Sequence, residues 1–207
     1  MRTPEDLKDG YRRFRKGNFR QQAELYHSLE KGQSPNIMLI ACADSRAEPA
    51  DIFAAAPGQL FVVRNVANLV PPYETSDGLH GVSAALEFAV TSLKVEHIVV
   101  MGHGGCGGVA ASLAAAVNRP VGQFIAPWVE LLDEPRDAVL SSAPDDPQTA
   151  LEHAGVERSL ANLMTFPFVR EAVEAGRLNL HGSWFAIGLG RLHWRNEATG
   201  TFEIVEA

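Results

Sequence analysis

The chain has two cysteines, and both lie in segments suited to binding a metal: Cys42-Ala43-Asp44-Ser45-Arg46 and His103-Gly104-Gly105-Cys106-Gly107-Gly108. Two thiolates and one imidazole supply three corners of a tetrahedral zinc site. A fourth corner left open for water or substrate distinguishes a catalytic zinc from a structural one, which protein ligands close completely. Cys42, His103 and Cys106 therefore point to chemistry. A buried cysteine standing alone is more often a small hydrophobe, and it is the His103-x-x-Cys106 segment that changes the reading of Cys42. Asp44 and Arg46 on their own would read as a turn-stabilising ion pair. Beside a metal they gain a role, because a carboxylate can orient the bound water while a cation holds it ionised and in place. His27, His97, His153, His181 and His193 have no partner at metal-ligand spacing and read as surface or core residues. His80 lies in a loop from which it could reach the cleft.

Apolar, β-branched-rich runs end just before each ligand segment, at residues 36–41 and 97–101. Both read as buried parallel strands. Ligands at the carboxyl ends of two strands in one parallel sheet converge on the crevice where open α/β folds bind their ligands. Cys106 also precedes a strong helix former at 109–117, whose N-terminal dipole favours a thiolate, and the surrounding glycines allow close backbone approach to a metal. Further strands are expected at 60–66, 178–187 and 201–205, the last at an edge. Helices are expected at 48–53, from about 82 to 93, broadly over 120–140 and, after a break at 144–147, over 150–164. The first thirty or so residues read as amphipathic helices with Leu7, Tyr11, Phe14 and Phe19 on one side. The expected fold class is α/β, a predominantly parallel central sheet flanked by helices, with an N-terminal helical arm and a C-terminal edge strand.

Composition is compatible with one domain over residues 1–207, at 46% hydrophobic and 21% charged residues. The formal charge of -7 argues against a general nucleic-acid binder, and the short basic run at 12–16 reads as the solvated face of a helix. The start of the chain lacks the apolar core of a signal peptide, and no segment approaches the ~20 apolar residues of a membrane span. Cytoplasmic location is the simplest expectation, with no membrane partner. Cysteines committed to a metal leave none for a disulfide, which suits a reducing compartment.

The two ligand segments resemble the Cys-x-Asp-x-Arg and His-x-x-Cys signatures of the β class of carbonic anhydrases. The likeness extends through Gly32-Gln33-Ser34-Pro35, the segment Phe61-Val62-Val63-Arg64-Asn65-Val66-Ala67-Asn68, and Asn162-Leu163-Met164-Thr165-Phe166-Pro167-Phe168-Val169-Arg170-Glu171, all similar to the plant-type branch. The resemblance implies one Zn²⁺ per chain and reversible hydration of carbon dioxide to bicarbonate and a proton. Zinc lowers the pKa of bound water and so supplies the attacking hydroxide. It also implies that Gln33 donates to a substrate oxygen, that Phe61 and Val66 line the pocket, and that the backbone at Gly104 helps orient bicarbonate. In the family, the aspartate corresponding to Asp44 can swing onto zinc and close the site. The pattern alone would let the helical arm, residues 1–32, cap its own core, but the resemblance implies that it packs on a partner subunit and that the pocket forms across a dimer interface, hence a homo-oligomer, a dimer or a dimer of dimers.

The chain also departs from the family pattern. Phe88 replaces a frequent tyrosine, Ala186 stands where an acidic residue commonly follows an aromatic pair, and Leu39 occupies the position of a tryptophan in the bicarbonate-inhibited branch. That substitution places the chain in the branch without bicarbonate regulation. The enzymatic alternative on the same ligands is hydrolysis of carbon disulfide or carbonyl sulfide. A non-catalytic zinc or thiol redox protein is the alternative of a different class. It would need neither Asp44, Arg46 nor Gln33, and the chain has no Cys-x-x-Cys.

Overall fold

The computed structural model describes residues 2–76 and 78–206. Among these residues six strands form one sheet: β1 Ile37–Cys42, β2 Leu60–Asn65, β3 His97–His103, β4 Asn179–Ala186, β5 Arg191–Arg195 and β6 Phe202–Ile204, in the order β2-β1-β3-β4-β5-β6. The first four positions in that order are mutually parallel, whereas β4–β5 and β5–β6 pair antiparallel. β1 and β3 are apolar on both faces because both faces are packed, and their registers set Leu39 beside Val99 and Ala41 beside Met101. The two ligand-bearing strands are thus adjacent and end together. Strand β6 is the expected edge, but β5 was not expected. Its alternation of Leu192 and Trp194 with Arg191, His193 and Arg195 is short and rich in charge, which masks the period-2 signal.

The helices are α1 Pro4–Lys16, α2 Asn18–Gln21, α3 Ala23–Leu29, α4 Pro49–Ile52, α5 Gly81–Glu87, α6 Gly107–Ala116, α7 Ile125–Val129, α8 Asp133–Ser142, α9 Pro147–Leu163 and α10 Pro167–Glu174. The helix expected over 82–93 changes to a π-helical turn at Phe88–Leu93 before Lys94 ends it in a left-handed conformation. Residues 120–140 form two helices rather than one, joined by a 3-10 turn at Glu130–Leu132. Pro147 does not merely break the chain. It occupies the first turn of α9, where its missing N–H costs nothing, while the Asp146 side chain caps the Thr149 N–H. Pro167 opens α10, for which no separate helix was expected, in the same way.

One sheet face is thickly covered: Met38, Ile40, Ile98 and Val100 pack with Leu86, Val156, Leu163, Phe166 and Val169. On α9, the buried positions Glu152, Val156, Ser159 and Leu163 recur at helical spacing. Two polar members of the buried set fasten the segment after β2: Ser159 Oγ donates to the Asn68 carbonyl at 3.1 Å, and Asn162 Nδ2 donates to the Val70 carbonyl at 2.8 Å. The opposite face, with Leu39, Ala41, Val99 and Met101, packs with Ile52, Phe53, Phe185 and Trp194 and leaves an apolar groove of about 540 Å³. Among the described residues of the arm none is buried in this chain. Leu7 and Tyr11 on the expected stripe are 60% and 61% exposed, whereas Phe14, Phe19 and Tyr26 pack on one another.

Candidate metal centre

Cys42 closes β1, His103 closes β3, and Cys106 caps the N-terminus of α6. All three are buried, and their ligand atoms lie within 4.8 Å of one another. The two sulfurs are 3.9 Å apart. Two sulfurs each ~2.3 Å from one ion at a tetrahedral angle stand ~3.8 Å apart, so the spacing suits zinc. His103 Nδ1 pairs with the Gly104 carbonyl at 3.0 Å, acting as donor, which leaves Nε2 with its lone pair. That nitrogen is buried and has no hydrogen-bond partner in the protein, which fits a metal ligand. The donor chemistry and spacing fit zinc with a fourth position open.

The surroundings favour a single thiolate, on Cys42. The Cys42 pKa is lowered, chiefly because the Cys106 thiol donates to its sulfur, with His103 and the backbone adding to the effect against the opposing influence of burial. Cys106 is raised correspondingly, first by its hydrogen bond to Cys42 and then by burial, while the N–H groups of Val109 and Gly108 pull it down. The pair thus yields one proton readily and holds the second until a cation replaces it. The Ala67 N–H also reaches the Cys42 sulfur, at 3.4 Å. Ala67 adopts left-handed φ of 64° to make this turn, and Trp128 Nε1 fastens the preceding Val66 carbonyl at 2.8 Å.

Asp44 and Arg46 form a two-pronged pair. Arg46 Nε donates to Asp44 Oδ1 at 3.0 Å, its terminal nitrogen to Oδ2 at 2.7 Å, and its backbone N–H to Oδ1 at 2.9 Å. These bonds, led by the Arg46 side chain, hold the Asp44 carboxyl well below the usual carboxylate range. The same guanidinium reaches the Gly105 carbonyl at 3.0 Å and so ties the two ligand loops together. Asp44 Oδ2 stands 3.9 Å from His103 Nε2, at the edge of the donor set. From β2, Arg64 donates to the carbonyls of Cys42, Asp44 and Ala47 and pairs with Glu48, bracing the first loop.

Of the other residues expected at the site, Val66 packs with Cys42 and Cys106. Gly104 uses its N–H for the Phe185 carbonyl and its own carbonyl for His103. Gln33 and Phe61 stand elsewhere: Gln33 precedes β1, and Phe61 pairs with Met38, ~13 Å along the strand from Cys42. His80 engages Ser76 and Glu74. His97 pairs with His181, while His153 stacks on Phe202 and His193 meets Trp184 edge-on. The sequence reading missed Gln148 and Glu152, which contact the backbone of Cys106. The available signal was an acid lying on the buried stripe of α9.

A family model described as carbonic anhydrase matches residues 37–192. β Carbonic anhydrase 3 of Arabidopsis thaliana is 37% identical over 187 residues, covering 87% of this chain and 72% of that protein. β Carbonic anhydrase 5, chloroplastic, of the same plant is 39% identical over 185 residues, covering 87% of this chain but 61% of its own length. Among solved structures, the β-carbonic anhydrase CcaA superposes with a TM-score of 0.89 at 29% identity, covering 98% of this chain and 92% of that one. A structure from a report on two tetrameric β-carbonic anhydrases of Sordaria macrospora gives 0.84 at 30% identity, covering 96% and 97%. With the Cys-His-Cys centre at the ends of adjacent parallel strands, these matches place the chain in the β class of carbonic anhydrases, of the plant type.

Proposed function

We propose that the chain catalyses the reversible hydration of carbon dioxide to bicarbonate and a proton. The observation that carries this reading is the buried Cys42, His103 and Cys106 donor set with a carboxylate, held by an arginine, at its edge. Zinc, when bound there, supplies a Lewis acid that brings the ionisation of water toward neutral pH. Asp44 is kept an acceptor by Arg46, so it can take a hydrogen bond from the attacking water and aim its lone pair at the carbon. The carbon gains one oxygen, and the proton leaves to solvent buffer. Gly104 contributes by fixing the imidazole tautomer, and Val66 supplies an apolar wall against the ligand cluster.

Gln33 and Phe61 serve the site of a second copy in this reading, since both lie toward the opposite end of the sheet from Cys42. The exposed arm of residues 1–32 and the apolar groove beside Leu39 and Trp194 support a homo-oligomer, a dimer or a dimer of such dimers. A single domain fits the continuous sheet, and free cysteines fit the reducing cytoplasm. Metal analysis and stopped-flow hydration on the same preparation test the function. One zinc per chain with rapid hydration at alkaline pH is expected. Zinc-loaded, assembled protein that leaves carbon dioxide untouched would refute the reading, and turnover of carbon disulfide instead would assign the hydrolase.

A further inference from the structure

Glu152 is a buried acid, 3% exposed, with no cation against it among the described residues. Such a group is costly unless donors surround it. Here they do: Oε1 accepts from the Cys106 N–H at 2.9 Å and from Gln148 Nε2 at 2.7 Å, and Oε2 accepts from Trp184 Nε1 at 3.0 Å. Gln148, one helical turn earlier on α9, also donates to the Cys106 carbonyl at 3.0 Å. One helix therefore holds both backbone polar groups of Cys106.

We infer that Glu152 and Gln148 are positioning residues that fix the peptide planes on either side of Cys106 and so aim its sulfur at Cys42. The inference rests on Cys106 being a zinc ligand. Cys106 follows Gly105, whose φ is 65°, and precedes two more glycines, so its own loop supplies little stiffness. The Cys106 carbonyl also takes the Ala110 N–H of α6 at 3.0 Å, but the Cys106 N–H is held only from outside the loop, by Glu152. α9 packs against β3 and β4 and carries the clamp on a buried stripe, so the position of the ligand is tied to the core. Trp184, on β4, locks the Glu152 carboxylate from the far side and leaves only one orientation in which all the donors are met.

Glu152→Gln keeps the volume but introduces an NH₂ group that must face at least one donor. Zinc is first counted in the wild-type protein, because a chain that binds none would overturn the metal reading itself. Zinc release to an excess of chelator is then timed in both proteins, and the cobalt-substituted forms are compared by their thiolate-to-metal charge-transfer absorption. Release should quicken roughly 10- to 100-fold in Glu152→Gln, with a shifted or weakened absorption band. Gln148→Leu removes one of the two donors to the Cys106 carbonyl, leaving the Ala110 N–H, together with one donor to Glu152, and should quicken release severalfold. It carries the test if Glu152→Gln does not fold. Trp184→Phe removes a Glu152 partner without touching Cys106 and should change thermal stability more than zinc release. Wild-type release and an unchanged cobalt spectrum in the folded Glu152→Gln or, failing that, Gln148→Leu variant would overturn the assignment.

Discussion

Gly108 gives α6 its close approach to the turn beneath Cys42, and filling that space should damage the metal centre. A Cβ built there would lie 2.6 Å from Val66 Cγ1, 2.9 Å from Ala67 Cβ and 3.4 Å from Ala67 N. Ordinary carbon contacts begin near ~3.5 Å. Val66 is β-branched and stiff, and its carbonyl is held by Trp128. Ala67 already occupies the left-handed region and has little room to yield. Gly108→Ala must therefore push the start of α6 away from the turn by roughly 0.5–1 Å, at an overpacking cost of about 1–3 kcal/mol. Alanine returns up to about 1 kcal/mol through its better helix propensity. At the middle of that cost range overpacking wins by about 1–2 kcal/mol, which lowers Tm by roughly 2–8 °C in a domain of this size. The displacement falls between the donor to one sulfur and the helix bearing the other, so kcat/KM should drop on the order of tenfold. Urea unfolding and stopped-flow hydration measure the two effects. Gly107→Ala is the control, because nothing lies within 4 Å of its added Cβ, and it should be neutral or stabilising. Stability within ~0.5 kcal/mol and turnover within about twofold for Gly108→Ala would refute the reasoning.

Arg46→Ala should release Asp44 toward the fourth metal position and lower kcat/KM by roughly 10- to 100-fold. A variant structure with Asp44 still off the metal, together with normal turnover, would count against that role. His153 is lowered to about 4, mainly by burial and then by His193. The unfolded chain therefore binds the extra proton first, and this contribution to stability is full above about pH 6.5 and lost as pH falls toward 4. Discounted because His153 is only partly buried, the effect is about 1–2 kcal/mol. His153→Phe should flatten the pH dependence of urea midpoints over that window, and an unchanged slope would disprove it. Bicarbonate should inhibit without cooperativity, because Leu39 is buried and offers no donor while Arg64 is engaged by loop carbonyls and Glu48. Sigmoidal inhibition in a hydration assay would reverse that conclusion.

The ligands were legible because zinc chemistry restricts them to few residue types, and the apolar runs before Cys42 and His103 could scarcely be anything but buried strands. The parallel sheet followed from those runs. Strand β5 escaped because Arg191, His193 and Arg195 hide the alternation of Leu192 with Trp194, and α9 starts earlier than expected because Pro147 serves as its first residue. Arg64 stood out in the sequence only as part of the family-like segment 61–68, whereas its bonds go to carbonyls that become neighbours only when β2 lies beside β1. Glu152 was hidden for the same reason. A lone acid in a helix reads as solvated unless its place on the buried stripe is noticed, and its partners on Cys106 and Trp184 lie 46 and 32 residues away.

The placement of Gln33 before β1 and Cys42 at its end separates two kinds of lesion along a single strand. If each centre takes its metal ligands from one chain and its glutamine from another, a defect at one end of β1 disables the chain's own centre, while a defect at the other disables its neighbour's. Two chains with opposite defects, each inactive when paired with itself, then form a mixed pair with one doubly damaged centre and one intact. Function is restored by association alone, and a cell carrying both variants would retain activity that neither gives alone.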